Sequence, residues 1–240
     1  METRFGFPLV TAKTIYQVLG ELGVREWETV RPPLSIQEYL AGNAGPLTPD
    51  QLHELKFAPR VEVQFLKNPA GRIERYFRHV GRNWATTFVL LPGDLLIVVG
   101  EWKQGSNDIT LVPPSGVPSN DDMKTTDPYG ACARREFTHE TGIELAEVIS
   151  LSNGVGIPVS TRQSTQRCFP FLGTPKEPIV RRRAKLDETE FLKGVAIPLG
   201  EWLKLIEEGK VREDCSISTT FLALQKLGRL RLQFTPECTS

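Results

Sequence analysis

The chain has 240 residues, 40% hydrophobic and 24% charged, the make-up of an ordinary globular protein with room for one large domain or a domain and an extension. Its 29 basic and 29 acidic residues cancel, which excludes the global positive field of a general nucleic-acid or membrane-surface binder. There is no run of about 18 apolar residues to span a membrane and no apolar signal core near Met1. Cys132, Cys168, Cys215 and Cys238 show no Cys-x-x-Cys spacing and are expected to be reduced thiols of a cytoplasmic protein.

Helical signals open the chain. Ile15, Val18, Leu19 and Leu22 recur at helical spacing up to Gly23. Residues 34–40, with Ser35 as N-cap, and 48–55, with Thr48 as N-cap and Pro49 at the first helical position, predict two further short helices. Residues 41–46 between them are turn-rich, and His53 falls on a helix surface. Residues 1–58 are therefore expected to be a helical extension without chemistry of its own, serving homodimer contacts or a lid.

From residue 59 to the end the period changes. Alternation over 60–66 and a return over 72–78, around a turn at 68–71, predict a hairpin. Apolar runs at 84–91 and 94–102 flank a Pro92-Gly93 turn, and 109–112 is a short strand. Asp127 is placed to cap a helix whose first position is Pro128. Strands follow at 145–151, 168–172 and 191–198. An amphipathic helix at 199–208 stops at Gly209, and a last helix at 216–227 stops at Gly228. The class this order predicts is α+β.

The segment 127–143 is the most informative. It contains Arg135-Glu136-Phe137-x-His139-Glu140-x-Gly142-Ile143. On a helix Glu136 and Glu140 share one face. Adjacent like charges destabilise an isolated helix by a few tenths of a kcal/mol, and a hard divalent cation reverses that sign because Mg2+ prefers carboxylate oxygens.

These residues resemble the Nudix box, whose pattern runs Gly, five residues, Glu, seven residues, Arg-Glu, an apolar residue, any residue, Glu-Glu, any residue, Gly, apolar. Asp127 stands where the pattern has its first Glu, seven residues before Arg135, and His139 replaces the first Glu of the pair. Gly116 matches the opening Gly if the loop carries a five-residue insertion around 118–124. The box is thus degenerate. The fold it implies is the Nudix α/β/α sandwich with a mixed sheet, over residues 59–240.

Flanking segments, together spanning roughly 85–227, resemble the ADP-ribose and nucleotide-sugar pyrophosphatase branch. Glu101-Trp102-Lys103 stand where it has Gln-Tyr-Arg. Leu111-Val-Pro-Pro-Ser-Gly116 stands for Leu-Glu-x-Pro-Ala-Gly, with Val112 replacing the Glu. Ser164-Thr-Gln-Arg167 stands for Ser-Asp-Glu-Arg, with Gln166 replacing the Glu, and Asp187-Glu-Thr-Glu-Phe191 resembles the branch's acidic loop. Pro158 lies close to where the branch carries a proline.

What the resemblance implies is a metal-dependent hydrolase that cleaves a nucleoside diphosphate linked to another group, ADP-ribose or a nucleotide sugar. Glu136, Glu140 and the Ser115 carbonyl would hold Mg2+ or Mn2+. His139 would be either a ligand favouring Mn2+ or a surface group. Glu188 and Glu190 would carry the base. Trp102, Arg135 and Arg167 would meet substrate, with core packing as the alternative for Trp102. Arg135 would also pair with Asp127, and Gly142 would close the box helix. The basic run at 181–183 reads either as a phosphate contact or as a solvated loop. Since Val112, His139 and Gln166 all replace carboxylates, a nucleotide-sensing or protein-interaction module without turnover is the second expectation, and a nucleoside-triphosphate or capped-RNA hydrolase the third.

Overall fold

An apolar run with no polar alternation must be buried on both faces, and the run at 94–102 organises the molecule for that reason. The computed structural model describes residues 2–28, 60–186 and 190–230. Two short strands, β1 (Thr3–Arg4) and β2 (Phe7–Pro8), and helix α1 (Ile15–Glu21) lead to the hairpin β3 (Arg60–Lys67) and β4 (Ile73–Val80). Next come β5 (Trp84–Phe88), β6 (Leu90–Leu91), β7 (Leu95–Lys103), β8 (Asp108–Val112), β9 (Ser115–Gly116) and a 3-10 turn at Asp122–Lys124. Helix α2 (Pro128–Thr141) precedes β10 (Leu145–Ser150), β11 (Ile157–Pro158), β12 (Arg167–Pro175) and β13 (Leu192–Pro198). Helices α3 (Leu199–Glu207) and α4 (Asp214–Lys226) follow. The class is α+β, as expected.

Two compact units divide the chain. The larger comprises Met1–Glu26, Arg82–Val159 and Arg167–Ser240, the smaller Trp27–Gly81 and Ser160–Gln166. The boundary expected at residue 58 lies outside the described residues. Residues 1–26 belong to the larger unit because Ile15, Val18 and Leu19 of α1 are buried in its core. The helices expected at 34–40 and 48–55 lie outside the described residues. In the smaller unit β3 and β4 pair in full register, from Arg60↔Val80 to Lys67↔Ile73.

In the larger unit β7 pairs antiparallel with β13 on one side and with β6 and β8 on the other. A second sheet has the order β10-β12-β5-β9, with β12 and β5 parallel. The apolar run at 84–91 is therefore two strands rather than one: β5 serves the second sheet and β6 the first, with Val89 between them.

Side chains alternate across a strand, and β7 shows what each face does. Leu96 and Val98 join Ile15 and Leu19 of α1, Trp202 and Leu205 of α3, and Leu224 of α4. Gly100 on this face receives Leu19 so closely that a Cβ would stand 2.4 Å from it. Trp202, fully buried, ties α3 to α4 by donating its indole N–H to Thr220 Oγ1 at 3.0 Å. Leu95 and Ile97 face the other way, against Phe137 of α2 and Ile143. That second face runs out through Val99 to Glu101 and Lys103.

Candidate active site

Helix α2 is fixed at both ends by its own sequence. Asp127 Oδ1 accepts the Gly130 N–H at 3.0 Å, and Pro128 fills the first position. At the other end Gly142 adopts φ 77°, and a Cβ there would stand 2.0 Å from the Arg182 carbonyl oxygen, so glycine is required on both counts. The basic run at 181–183 serves this end. Arg182 N–H donates to the Gly142 carbonyl at 2.8 Å, and Arg181 Nε donates to the Thr141 carbonyl at 3.2 Å. Cations suit a helix C-terminus. The Arg181 guanidinium also lies 3.7 Å from the Phe7 ring centre, and Arg182 Nη1 pairs with Glu144 at 2.6 Å. Two of the three arginines are thus engaged within the fold.

With the helix fixed, Glu136 and Glu140 present one face to β9. Glu140 is only 6% exposed, and its Oε2 accepts the Ser115 N–H at 3.3 Å. The Glu136 carboxylate lies over Gly116, where a Cβ would stand 2.3 Å from its Oε1. Glycine at 116 is what lets β9 pass beneath that carboxylate. From β7, Glu101 turns toward the same place, with Lys103 Nζ 2.6 Å from its Oε1. Glu190, just before β13, acts electrostatically on both helix carboxylates.

Burial raises the Glu140 carboxyl well above its ordinary pKa, and Glu101, Glu136 and Glu190 push the same way against the Ser115 N–H. Glu136 is also raised, by burial first, with Arg135 opposing and Glu190 and Asp122 adding. Four carboxylates from α2, β7 and the segment before β13 therefore share one field that a cation would relieve. Among the described residues, no three His, Cys, Asp or Glu side chains stand close enough to grip an ion as placed. Each of three site carboxylates is taken by a protein partner: Glu136 by Arg135 Nη1 at 2.7 Å, Glu101 by Lys103, Glu140 by Ser115. The donors, desolvated carboxylates around a turn with a backbone carbonyl, suit Mg2+ or Mn2+ in kind.

Arg135 departs from its expected partner. Its Nε and Nη2 donate to Asp122 Oδ2 at 3.0 and 2.8 Å, and Nη2 donates also to the Val117 carbonyl at 3.1 Å. Asp127 is occupied with its cap, so the anchor of the loop is Asp122. Burial opposes Asp122's charge, but bonds from Arg135 and Ser119 outweigh it and hold the carboxyl below its ordinary pKa. The signal was available in the spacing. Asp122 follows Gly116 by six positions, the interval of the box pattern, so the extra residues fall after Asp122 rather than before it. Arg135, locked between Asp122 and Glu136, is thereby committed to the protein's own carboxylates.

The remaining expected residues are dispersed. His139 is half-buried on α2, and its carbonyl accepts the Lys185 N–H at 2.8 Å. Trp102 is buried and, by alternation along β7, points to the opposite face from Glu101 and Lys103. Arg167 ties down a loop, its Nη1 donating to the Gly156 carbonyl at 3.2 Å. Glu188 lies outside the described residues. Glu101 and Lys103 were not among the expected site residues, although two charges at i and i+2 on a strand mark one face. Cys132 donates its thiol to the Gly116 carbonyl at 3.3 Å, and burial pushes it up to about 12, which makes it structural.

No family model matches the sequence, and no curated protein matches it. A solved structure described as an ADP compounds hydrolase matches over 72% of this chain and 90% of its own, with a TM-score of 0.57 and 20% identity. At that identity the likeness is one of fold. The chain shares a mixed α+β fold with that hydrolase. No helix among the described residues is long and apolar enough to cross a membrane.

Proposed function

We propose that this protein is a divalent-metal-dependent hydrolase of the Nudix type, cleaving a nucleoside diphosphate linked to a further group to a nucleoside monophosphate and a phosphorylated product. The observation that carries the reading is the placement of Glu136 and Glu140, on one face of a capped helix, against the short strand Ser115–Gly116 and in the field of Glu101 and Glu190. The fold shared with an ADP compounds hydrolase supports it, and the resemblance of the flanking segments to the ADP-ribose and nucleotide-sugar pyrophosphatase branch makes ADP-ribose or a nucleotide sugar the proposed substrate. Glu136, Glu140 and the Ser115 carbonyl would hold the ion. When bound, the ion would neutralise phosphoryl charge and activate water. Arg135 and Asp122 fix the turn against the helix. Glu190, or Glu188 beside it in sequence, would accept the proton from water.

The test is phosphate release, through a coupled phosphatase, from ADP-ribose and a panel of nucleotide sugars with Mg2+ and with Mn2+. Turnover of at least one diphosphate that depends on the ion is expected. Binding without turnover across the whole panel would overturn the reading in favour of a nucleotide-sensing module. The packing of Val112 among Val99 and Leu192 favours that second reading, since it seals with apolar side chains a position where the branch has a carboxylate.

A further inference from the structure

The carboxylate site already contains cations of its own, and they differ in mobility. Arg135 is gripped from three sides, by Asp122, Glu136 and the Val117 carbonyl. Among the described residues Lys103 has one ion-pair partner, Glu101, at 2.6 Å, and its side chain is 38% exposed. The carboxylate directly across the ladder, Asp108, pairs with Arg212 Nη1 at 2.5 Å. Lys103 is therefore left to turn inward along its own strand to Glu101. Glu101 in turn is the largest charge acting on Glu140. Burial disfavours the Lys103 ammonium, yet Glu101, then Glu213 and Glu140, outweigh that and strengthen its hold on the proton. A lysine is a compact charge on a flexible four-carbon stem, able to leave a site that a guanidinium fork is locked into.

We propose that Lys103 is a tethered competitor for the divalent-cation site, its ammonium anchored on Glu101 and neutralising the carboxylates around Glu140, so that an ion binds only by displacing it. This rests on the reading of Glu136 and Glu140 as ligands and adds its regulation: the affinity for the ion is set by the charge at position 103, and the site loads at a higher ion concentration than it would without the ammonium. A divalent ion among these carboxylates would repel the ammonium that Glu101 holds, and the repulsion between like charges grows as their separation falls.

The experiment is calorimetric titration of the full chain with MnCl2, using wild type, Lys103→Met and Lys103→Arg. Methionine keeps an apolar stem and removes the charge; arginine keeps the charge. Lys103→Met should bind Mn2+ roughly tenfold more tightly, the scale of one removed charge repulsion at close range, and Lys103→Arg, whose fork is harder to displace from Glu101, should bind no more tightly than wild type. Binding by Lys103→Met alone, with none by wild type, would also support the proposal. Wild type that binds at the Glu140 site (binding lost in Glu140→Gln) with Lys103→Met equal or weaker would overturn it and leave the metal-site reading standing. No binding by any variant would overturn both. Thermal melting checks that each variant folds, and Lys103→Gln replaces Lys103→Met if methionine disturbs the strand.

Discussion

The two faces of β7 are built from the same nine residues and do opposite things. Toward α1, α3 and α4, Leu96, Val98 and Gly100 meet apolar side chains, and Leu19 fills the space that the glycine leaves. Toward α2, the same strand begins with Leu95 and Ile97 but ends with Glu101 and Lys103 among three further carboxylates. The first face lowers the free energy of the fold by removing apolar area from water, about 25 cal/mol per Å2. The second spends stability by holding Glu136 and Glu140 where burial and like charges raise both. Strain of this kind concentrates where a ligand is to be received. Substitutions on the two faces should therefore differ in sign as well as in size.

The largest loss is expected on the apolar face. Trp202→Ala removes a fully buried side chain and the bond to Thr220 that joins α3 to α4, and should cost about 3–5 kcal/mol in denaturant unfolding. A loss below about 1 kcal/mol would mean that α3 and α4 are not held through this residue. Next comes the anchor of the box loop. Asp122→Ala leaves Arg135, 27% exposed, with Glu136, the Val117 carbonyl and a weak acceptor in the Cys132 sulfur. Breaking a buried pair costs about 3–5 kcal/mol, and the partial exposure of Arg135 brings the expectation down to about 2–3 kcal/mol. Asp127→Ala loses only a helix cap, about 1 kcal/mol. Equal losses at 122 and 127 would count against Asp122 as the partner of Arg135.

The pair Asp122 and Asp127 also shows where sequence reading works and where it stops. The cap at Asp127 was legible because capping is local: an acceptor, a proline after it and an amide three residues on. The helix, its closing glycine and its two-carboxylate face were legible for the same reason. The partner of Arg135 lies thirteen positions away across a turn, and choosing between two aspartates there required the loop path. The first helix was legible as a helix, but its docking on Gly100 was not, because a glycine in a strand does not announce which distant side chain fills it. The run at 84–91 was legible as strand, and its division between two sheets was set by neighbours remote in sequence. Glu101 and Lys103 were visible as charges on one face of a strand, while their approach to Glu140 is a tertiary fact.

The smallest effect should have the opposite sign. Glu140→Gln keeps the shape of the side chain and its packing, and removes only a charge that burial and three neighbouring carboxylates oppose. A carboxyl whose folded pKa lies above its unfolded value binds its proton more tightly in the folded state. It favours folding fully below the unfolded pKa, about 4.3 for glutamate, and that advantage is lost as pH rises through the higher folded value. At neutral pH, in buffer without divalent ions, the glutamine variant should therefore melt above wild type, with each kcal/mol worth about 2–4 °C in a chain of this size. The difference should shrink toward pH 4, where the wild-type carboxyl keeps its proton. Saturating Mn2+ should reverse the order, because an ion bound only by the folded state stabilises it and the variant lacks a ligand. It should also lose most of its turnover. A glutamine variant less stable than wild type at neutral pH without ions, or equally stabilised by Mn2+, would mean that Glu140 is a structural acid serving the Ser115 turn and that this face of β7 was built for packing like the other.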